Sequence, residues 1–195
     1  MDFNQLAPQF QTGDIILFGG TTPVSAVIDA ITHSKYSHIG MVVRAAGSVG
    51  SDGLTLWQSF EPEGGVVVDL LETFIASYPK LEAGATVAAR LLGVERTPSM
   101  LQGLADYMPT VKGKPFPGFV EWFLNYISGC LGVEGPQKSF YCSELIADSY
   151  MAMGLLKAWP LATVYTPGRF AEDAYDLQLQ LGASFGPEIP VTTSR

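Results

Sequence analysis

The sequence predicts an α+β fold in a single domain, residues 1–195, with an antiparallel sheet or small barrel packed against helices. The first observation is the order of elements, since one helix is followed by a run of short strands and then by helices. The second is that tight links join these strands, which is typical of an antiparallel meander. The third is composition, because 47% hydrophobic and 15% charged residues are sufficient for one core.

The first strand and the first helix come from the N-terminal part of the chain. "GDIILFGG" (13–20) is a short apolar run between turn residues and predicts a buried strand. In "TPVSAVIDAITHS", Thr22 fits a helix N-cap and Pro23 the first helical position, and apolar residues recur at helical spacing. We therefore expect an amphipathic helix directly after the first strand.

The middle of the chain predicts the rest of the sheet. The β-rich runs are "SHIGMVVRAA" (37–46), "LTLWQSFE" (54–61), "GGVVVDLL" (64–71) and "ATVAARLL" (85–92). Between the last two, "ETFIASYP" predicts a short helix or turn that ends at Pro79.

From Thr97 onward the pattern is helical, and residues of about 97–136 are interpreted as a helical insertion. "SMLQGLADYMPTV" predicts a helix that stops at Pro109, and "FVEWFLNYISGCLG" a strongly apolar one. "KSFYCSELIADSYMAMGLL" (138–156) predicts a third helix that ends at Gly154. "TVYTPGRFAED" is then expected to return to the sheet and turn.

Charge and hydropathy exclude several classes of protein. The net charge of −8 argues against non-specific nucleic-acid binding, which needs a basic surface. The N-terminus shows neither a basic nor an apolar signal region, and no run approaches a membrane span, so we expect a cytoplasmic protein without an integral membrane segment. No feature of the sequence specifies an oligomeric state.

The two cysteines, Cys130 and Cys142, have several explanations. Without an export signal a disulfide between them is disfavoured. Two cysteines and two histidines without paired ligand spacing argue against a zinc site, and we expect no metal or other cofactor. Cys130, inside the apolar "YISGCLG", fits a buried structural cysteine.

Cys142 stands at the start of a predicted helix, where the helix dipole and free N–H groups would stabilise a thiolate. Ser139 is a candidate cap that would place Cys142 at the third helical position, unless Cys142 itself is the boundary residue. A nucleophilic cysteine needs a base. His33 has a structural explanation at a helix end, whereas His38, at the start of a strand, has none.

A third group would have to orient the imidazole of His38. "LTLWQSFEPEGG" offers Gln58, Glu61 and Glu63 on or after the next strand. The amide oxygen of Gln58 would accept from the ring N–H, whereas the two glutamates are by default solvated charges at the strand end.

Taken in order, "GDIILF", "YSHIGMVV", "LWQSF", "GGVVVDLL", "KGKPF", "FYCSELIADSYMAMGLL" and "YTPGRF" resemble the motifs of the circularly permuted NlpC/P60 proteins. These are papain-like proteins of the YiiX/YebB type, distantly similar to lecithin retinol acyltransferases. The resemblance covers roughly residues 12–172. It rests on the order of the motifs, because the histidine here precedes the cysteine, as it does in the permuted group.

The resemblance implies a permuted papain-like fold with Cys142 as nucleophile and His38 as general base. The position of Gln58 is often acidic in related members, so the glutamine is a departure, and Glu61 is the alternative orienter. The oxyanion would be held by the backbone N–H of Cys142 and a second donor. Tyr36, Tyr141 and Glu61 are candidates for oxyanion or substrate binding, although a solvent-facing aromatic explains Tyr36 equally well. Asp14 matches the family's Gly-Asp motif and is interpreted as a turn residue.

Three functions follow from these expectations. The first is a cysteine hydrolase that cleaves amide bonds in peptide-like substrates, including cell-wall-derived ones, through a thioester. The second uses the same pair on lipid esters or thioesters, as a hydrolase or acyltransferase, and the third is a non-catalytic binding module. The aromatic residues of the insertion are expected mostly in the core, or as a wall of an apolar substrate pocket; they are Phe119, Trp122, Phe123 and Tyr126.

Overall fold

A computed structural model describes residues 1–21, 34–133, 135, 137–174 and 176–193. The strands in these residues are β1 (Ile15–Gly19), β2 (His38–Arg44), β3 (Leu54–Phe60), β4 (Gly65–Leu70), β5 (Thr86–Arg90) and β6 (Ile189–Pro190). The helices are α1 (Phe3–Leu6), α2 (Leu71–Leu81), α3 (Pro98–Val111), α4 (Phe119–Cys130) and α5 (Cys142–Ala152). The chain therefore has a mixed α+β architecture.

The strands form one open six-stranded sheet in the order β4-β3-β2-β1-β5-β6. Every pairing in it is antiparallel. The prediction of an antiparallel meander is confirmed for β1 to β4, while β5 returns to the free edge of β1. Of the two predicted forms, the structure has the sheet rather than the small barrel.

Strand alternation gives the sheet two buried faces. One face, with Leu17, Ile39 and Trp57, packs against α3 and α5 and forms the first core. The opposite face, with Phe18 and Val42, packs against α1 and α2 and forms the second core. Strands buried on both faces explain why the sequence shows nearly continuous apolar runs in place of alternation.

Polar contacts fix α5 on the first core. The indole nitrogen of Trp57 donates to the hydroxyl of Ser149 over 3.1 Å, and the Tyr150 hydroxyl donates to the carbonyl of Gly13 over 2.6 Å. At the other end of the helix, Ser143 donates to the carbonyl of Tyr165. These bonds set where the first residue of α5, Cys142, stands relative to β2 and β3.

The predicted helix ends at Pro79 and Pro109 are wrong, because both prolines lie inside helices, two residues before the last one. A proline removes one N–H bond but leaves the next ones intact. Tyr78 still accepts from the N–H that follows α2, and Met108 from the N–H that follows α3. Buried side chains in each final turn, such as Val111, keep it helical.

Other expectations for the C-terminal half are also corrected. "TVYTPGRF" forms two 3-10 turns, Ala162–Val164 and Pro167–Phe170, and the strand that returns to the sheet is β6. The outer face of α4 is exposed, with Phe123 at 43%, and Trp122 and Tyr126 are only half-buried. Cys130 is exposed, so it is not the buried structural cysteine expected.

Two expectations fall outside the described residues. The helix predicted in 22–33, with Thr22, Pro23 and His33, is one, and the side chain of Phe119 is the other. Within the described residues, every helix is too short or too polar to cross a membrane.

Candidate functional site

Cys142 is the first residue of α5, and Tyr141 occupies the N-cap. The prediction of a Ser139 cap is therefore wrong, and the boundary alternative holds. Ser139 instead donates its hydroxyl to Glu121 over 2.6 Å. A cysteine at this position has the free N–H groups of the first helical turn beside its sulfur.

The Cys142 thiol lies in a cradle of backbone N–H groups. Its sulfur accepts from the N–H of Ile39, of Ser143 and of Cys142 itself. The side chain is buried, with 6% exposed. Burial outweighs these bonds and raises the pKa of the thiol from 9.0 to about 11. The resting thiol is protonated, in contrast to the thiolate expected from the helix dipole.

His38, the first residue of β2, is connected to a carboxylate through an amide. Its Nε2 lies 2.7 Å from Oε1 of Gln58 on β3. Nε2 of Gln58 donates in turn to Oδ2 of Asp69 on β4, over 2.6 Å. Because the amide nitrogen is held by the carboxylate, the amide oxygen points at the imidazole. The predicted neighbourhood of His38 and Gln58 is thus observed.

The imidazole of His38 packs in an aromatic cluster. Its ring centroid lies 5.4 Å from that of Phe18, 5.1 Å from Phe60 and 6.2 Å from Phe74. Burial in this cluster lowers the pKa of His38 from 6.5 to about 4, although Gln58 and the charge of Asp69 oppose the shift. The imidazole is therefore neutral at physiological pH.

The thiol and the imidazole both lie at the end of β2, where the sheet is not fully paired. β2 begins at His38, but its pairing with β3 begins only at Met41, opposite Trp57. The N–H of Ile39 points to the same side as that of Met41, and it donates to Cys142 in place of β3. Strand alternation turns the His38 ring to the second core, whereas Cys142 approaches from the first core.

Sequence reasoning missed Asp69 and proposed Glu61 as the alternative orienter. Glu61 is exposed in the 3-10 turn Glu61–Glu63, whereas Asp69 reaches the site through Gln58. Glu63, beside Asp69, has a raised pKa because of partial burial and the Asp69 charge. The sequence does contain one signal, since Asp69 is the single acid in "GGVVVDLL". Whether this side chain reaches Gln58 depends on the register in which β4 pairs with β3, which the sequence does not reveal.

The two tyrosines proposed as oxyanion or substrate-binding groups have other partners. Tyr36 is buried and donates its hydroxyl to Glu188 over 2.7 Å, so it is not a solvent-facing aromatic. Burial and Glu188 raise its pKa. Tyr141 donates to the carbonyl of Thr163. Both hydroxyls therefore donate to partners other than Cys142.

Asp14 does more than form a turn. It is buried and accepts from the N–H of Gln11 and of Leu92, both over 2.8 Å. It also pairs with the guanidinium of Arg96 at 2.6 Å. The Gly-Asp motif therefore ties the entrance of β1 to the segment after β5.

The described residues lack the grouping of side chains that a metal site needs. No three His, Cys, Asp or Glu side chains among them are grouped so as to hold a metal ion. What the site does offer is a hydrogen-bonded series of a neutral imidazole, an amide and a carboxylate, and a thiol with N–H donors at its sulfur.

No protein-family model matches the chain. No curated protein matches it either. Among solved structures, it is similar to the crystal structure of the metalloprotein YiiX from Escherichia coli O157:H7, with a TM-score of 0.55 and 27% identity. The alignment covers 75% of this chain and 68% of that chain. The fold is therefore YiiX-like. The word metalloprotein describes that protein, and the described residues of this chain do not fit such a group.

Proposed function

We propose that this chain is a papain-like cysteine hydrolase of the permuted NlpC/P60 type that cleaves amide bonds in peptide-like substrates. One observation carries the proposal. The Cys142 sulfur, at the first position of α5, accepts from the N–H of the residue that follows His38, while the ring of His38 is bonded through Gln58 to Asp69.

The proposed reaction has two steps. As Sγ of Cys142 attacks the amide carbonyl, its proton passes to Nδ1 of His38 and a C–S bond forms. The backbone N–H of Cys142 supports the oxyanion. His38 then protonates the leaving amine, the C–N bond breaks and a thioester remains. Water attacks the thioester with His38 as base, the C–S bond breaks, and the acid and the thiol are released.

The protonation states favour general-base catalysis over a preformed ion pair. A thiol with a pKa of about 11 and an imidazole with a pKa of about 4 are both neutral at rest. Proton transfer therefore accompanies attack. Because Nε2 of His38 donates to the Gln58 oxygen, Nδ1 is the nitrogen with a lone pair for the thiol. Transfer has to occur at the end of β2 that pairs with β1 but not with β3, where both groups lie.

A second candidate function is hydrolysis of lipid esters or thioesters by the same pair. The observation in its favour is the apolar outer face of α4, where Phe123, Leu124 and Ile127 are exposed at 43%, 58% and 41%. Such a face on the helix beside Tyr141 suits a substrate with an acyl chain. Peptide-like substrates stay the first candidate, and wall-derived fragments inside the cell agree with the expected cytoplasmic location.

A panel of chromogenic substrates tests the proposal and separates the two candidates. We expect release of p-nitroaniline from short peptide anilides, and slower release of p-nitrophenol from long-chain esters. C142A should lose activity by roughly 10³-fold or more. The matched control C130A, at the exposed cysteine, should keep it within about twofold.

Three results would overturn the first candidate. Faster turnover of long-chain esters than of anilides would favour the lipid substrate. Activity that survives in C142A would contradict the role of Cys142 as nucleophile. Complete absence of activity in the folded wild type would leave a binding module on this scaffold.

A further inference from the structure

A cavity of about 150 Å³ lies beside α5 and away from the thiol. It is lined by Glu144, Asp148, Met151, Leu161, Ala162 and Thr163, among others. Residues 142 and 144 are about 200° apart around a helix with 3.6 residues per turn. The cavity therefore opens on the face of α5 opposite Cys142, and the proposed chemistry does not use it.

Glu144 presents an unpartnered oxygen in this cavity. Its side chain is buried, with 3% exposed, and Oε2 has no hydrogen-bond partner. The carboxyl also accepts from the N–H of Tyr141, as the third residue of a helix does in a capping box. One oxygen thus caps α5 and the other is left over. Thr163 Oγ1, also on the cavity wall, is the second buried polar atom without a partner among the described residues.

The surroundings of Glu144 are acidic at one end and apolar at the other. Asp148 stands one turn further along α5, and Glu121 approaches from α4. Lys114 is the cation that partly offsets them. The apolar wall comes from Met151, Leu161 and Ala162. A carboxyl oxygen and a hydroxyl that both lack a hydrogen-bond partner, next to an apolar wall, match a ligand with an N–H₃⁺ head and an alkyl body.

The size of the cavity limits this ligand. An engineered cavity of about 150 Å³ accepts benzene, so about six non-hydrogen atoms fit. A bare metal ion suits the site less well, because no group of three ligating side chains exists in the described residues. We propose that this cavity is a binding site for a primary ammonium group on a short alkyl chain, with Glu144 as its counter-ion and Thr163 as a second acceptor.

Binding should be coupled to proton release. The pKa of Glu144 is raised to about 8 by burial and by the neighbouring acids. A cation beside it favours the charged carboxylate, so at neutral pH the carboxyl loses its proton as the ammonium binds. The titratable and charged groups that face Glu144 are Asp148, Glu121, Lys114, Tyr107 and Tyr141.

Calorimetry with n-butylammonium chloride tests the proposal, with n-butanol as the neutral ligand of equal size. We expect the wild type to bind the ammonium and not the alcohol, with a proton released to the buffer at pH 7. E144Q should weaken binding by about tenfold or more, the loss of one charge-assisted contact, and should release no proton. T163V should weaken binding by a smaller factor.

The controls separate this site from other effects. E95Q removes one exposed carboxylate elsewhere and should change affinity by less than about twofold. C142A should bind as the wild type does, so the result is independent of the proposed hydrolase activity. Circular dichroism confirms that E144Q is folded, and the neutral amide is a close substitute for the protonated carboxyl.

Three outcomes would overturn the proposal. One is equal binding of butanol and butylammonium, and another is unchanged ammonium binding in both E144Q and T163V. The third is Glu144-dependent binding of magnesium or calcium chloride with no binding of the ammonium, which would make the cavity a metal site.

Discussion

At the residue scale, Asp69 changes how the candidate site works. The sequence has Gln58, and not an acidic residue, beside His38. In the structure a carboxylate, that of Asp69, is hydrogen-bonded to the other end of the Gln58 amide. Asp69 fixes which end of the amide faces the imidazole, and its charge raises the pKa of His38 against the effect of burial. Asp69 is thus placed to act on His38 through Gln58.

This role predicts how the pH-rate profile responds to substitution. In D69N the charge is lost and the amide of Gln58 is no longer oriented, so kcat should fall by about tenfold with little change in KM. The acidic limb of the pH-rate profile, where the rate falls as His38 takes up a proton, should move to lower pH because the pKa of His38 falls further. Q58E places a charge directly on the imidazole and should move the limb to higher pH.

E61Q is the matched control, since Glu61 is exposed at the end of β3. It should leave both kcat and the acidic limb unchanged. An acidic limb that moves in E61Q and stays in place in D69N would show that Glu61, and not Asp69, acts on His38.

At the element scale, α5 carries the thiol and is held between the sheet and α3. Gly103 of α3 packs directly on the last turn of α5, where an added Cβ would collide with the carbonyl oxygen of Ala152. A backbone oxygen cannot rotate away as a side chain can. The spacing of α3 and α5 therefore depends on the absence of a side chain at this position.

G103A should lower the free energy of unfolding by roughly 1–3 kcal/mol, although alanine is the better helix former. Urea titration measures the change. The matched control G186A, whose Cβ would make an ordinary contact at 3.6 Å, should change stability by less than about 0.5 kcal/mol. Equal stability of G103A and wild type would mean that the two helices are free to separate.

The elements also show what the sequence can and cannot predict. Strands β1 to β5 were predicted because apolar runs between turn residues are a local signal. The helix ends at Pro79 and Pro109 were missed because buried side chains outweigh one lost backbone bond. Asp69 was missed because strand register is set by pairing over distance, and no local pattern reveals it.

At the scale of the whole molecule, two buried groups with opposite shifts give stability its pH dependence. His38 stays neutral down to about pH 4 in the folded protein but is protonated near 6.5 when unfolded. Stability is therefore lost as pH falls from 6.5 to 4. Glu144 keeps its proton up to about pH 8 but loses it near 4.5 when unfolded, so stability is lost as pH rises between these values.

Of these two groups, only Glu144 titrates between pH 6.5 and 8, so this window tests it separately from His38. Each pH unit in this window should lower the free energy of unfolding of the wild type by up to about 1.4 kcal/mol relative to that of E144Q, because the glutamine does not titrate. Urea unfolding at pH 6.5 and pH 8 gives the difference. E95Q should follow the wild type. Parallel curves for wild type and E144Q would contradict a buried, protonated Glu144.

The whole molecule also shows why the positions of Cys142 and His38 in the fold were predictable. The motifs that carry them are 104 residues apart, but their order and their positions at the start of a helix and of a strand are visible in the sequence. The cavity at Glu144 was not predictable, because its walls come from α4, α5 and a segment of turns that meet only in three dimensions.

The central claim is that Cys142 is a nucleophile that His38 activates. Intact-protein mass spectrometry after brief reaction with p-nitrophenyl acetate measures it directly, in a C130A background that removes the exposed thiol. We predict one acetyl adduct that maps to Cys142, with H38A slowing its formation by roughly 10²-fold. An adduct that forms equally fast in H38A, or that never forms on Cys142, would contradict the account.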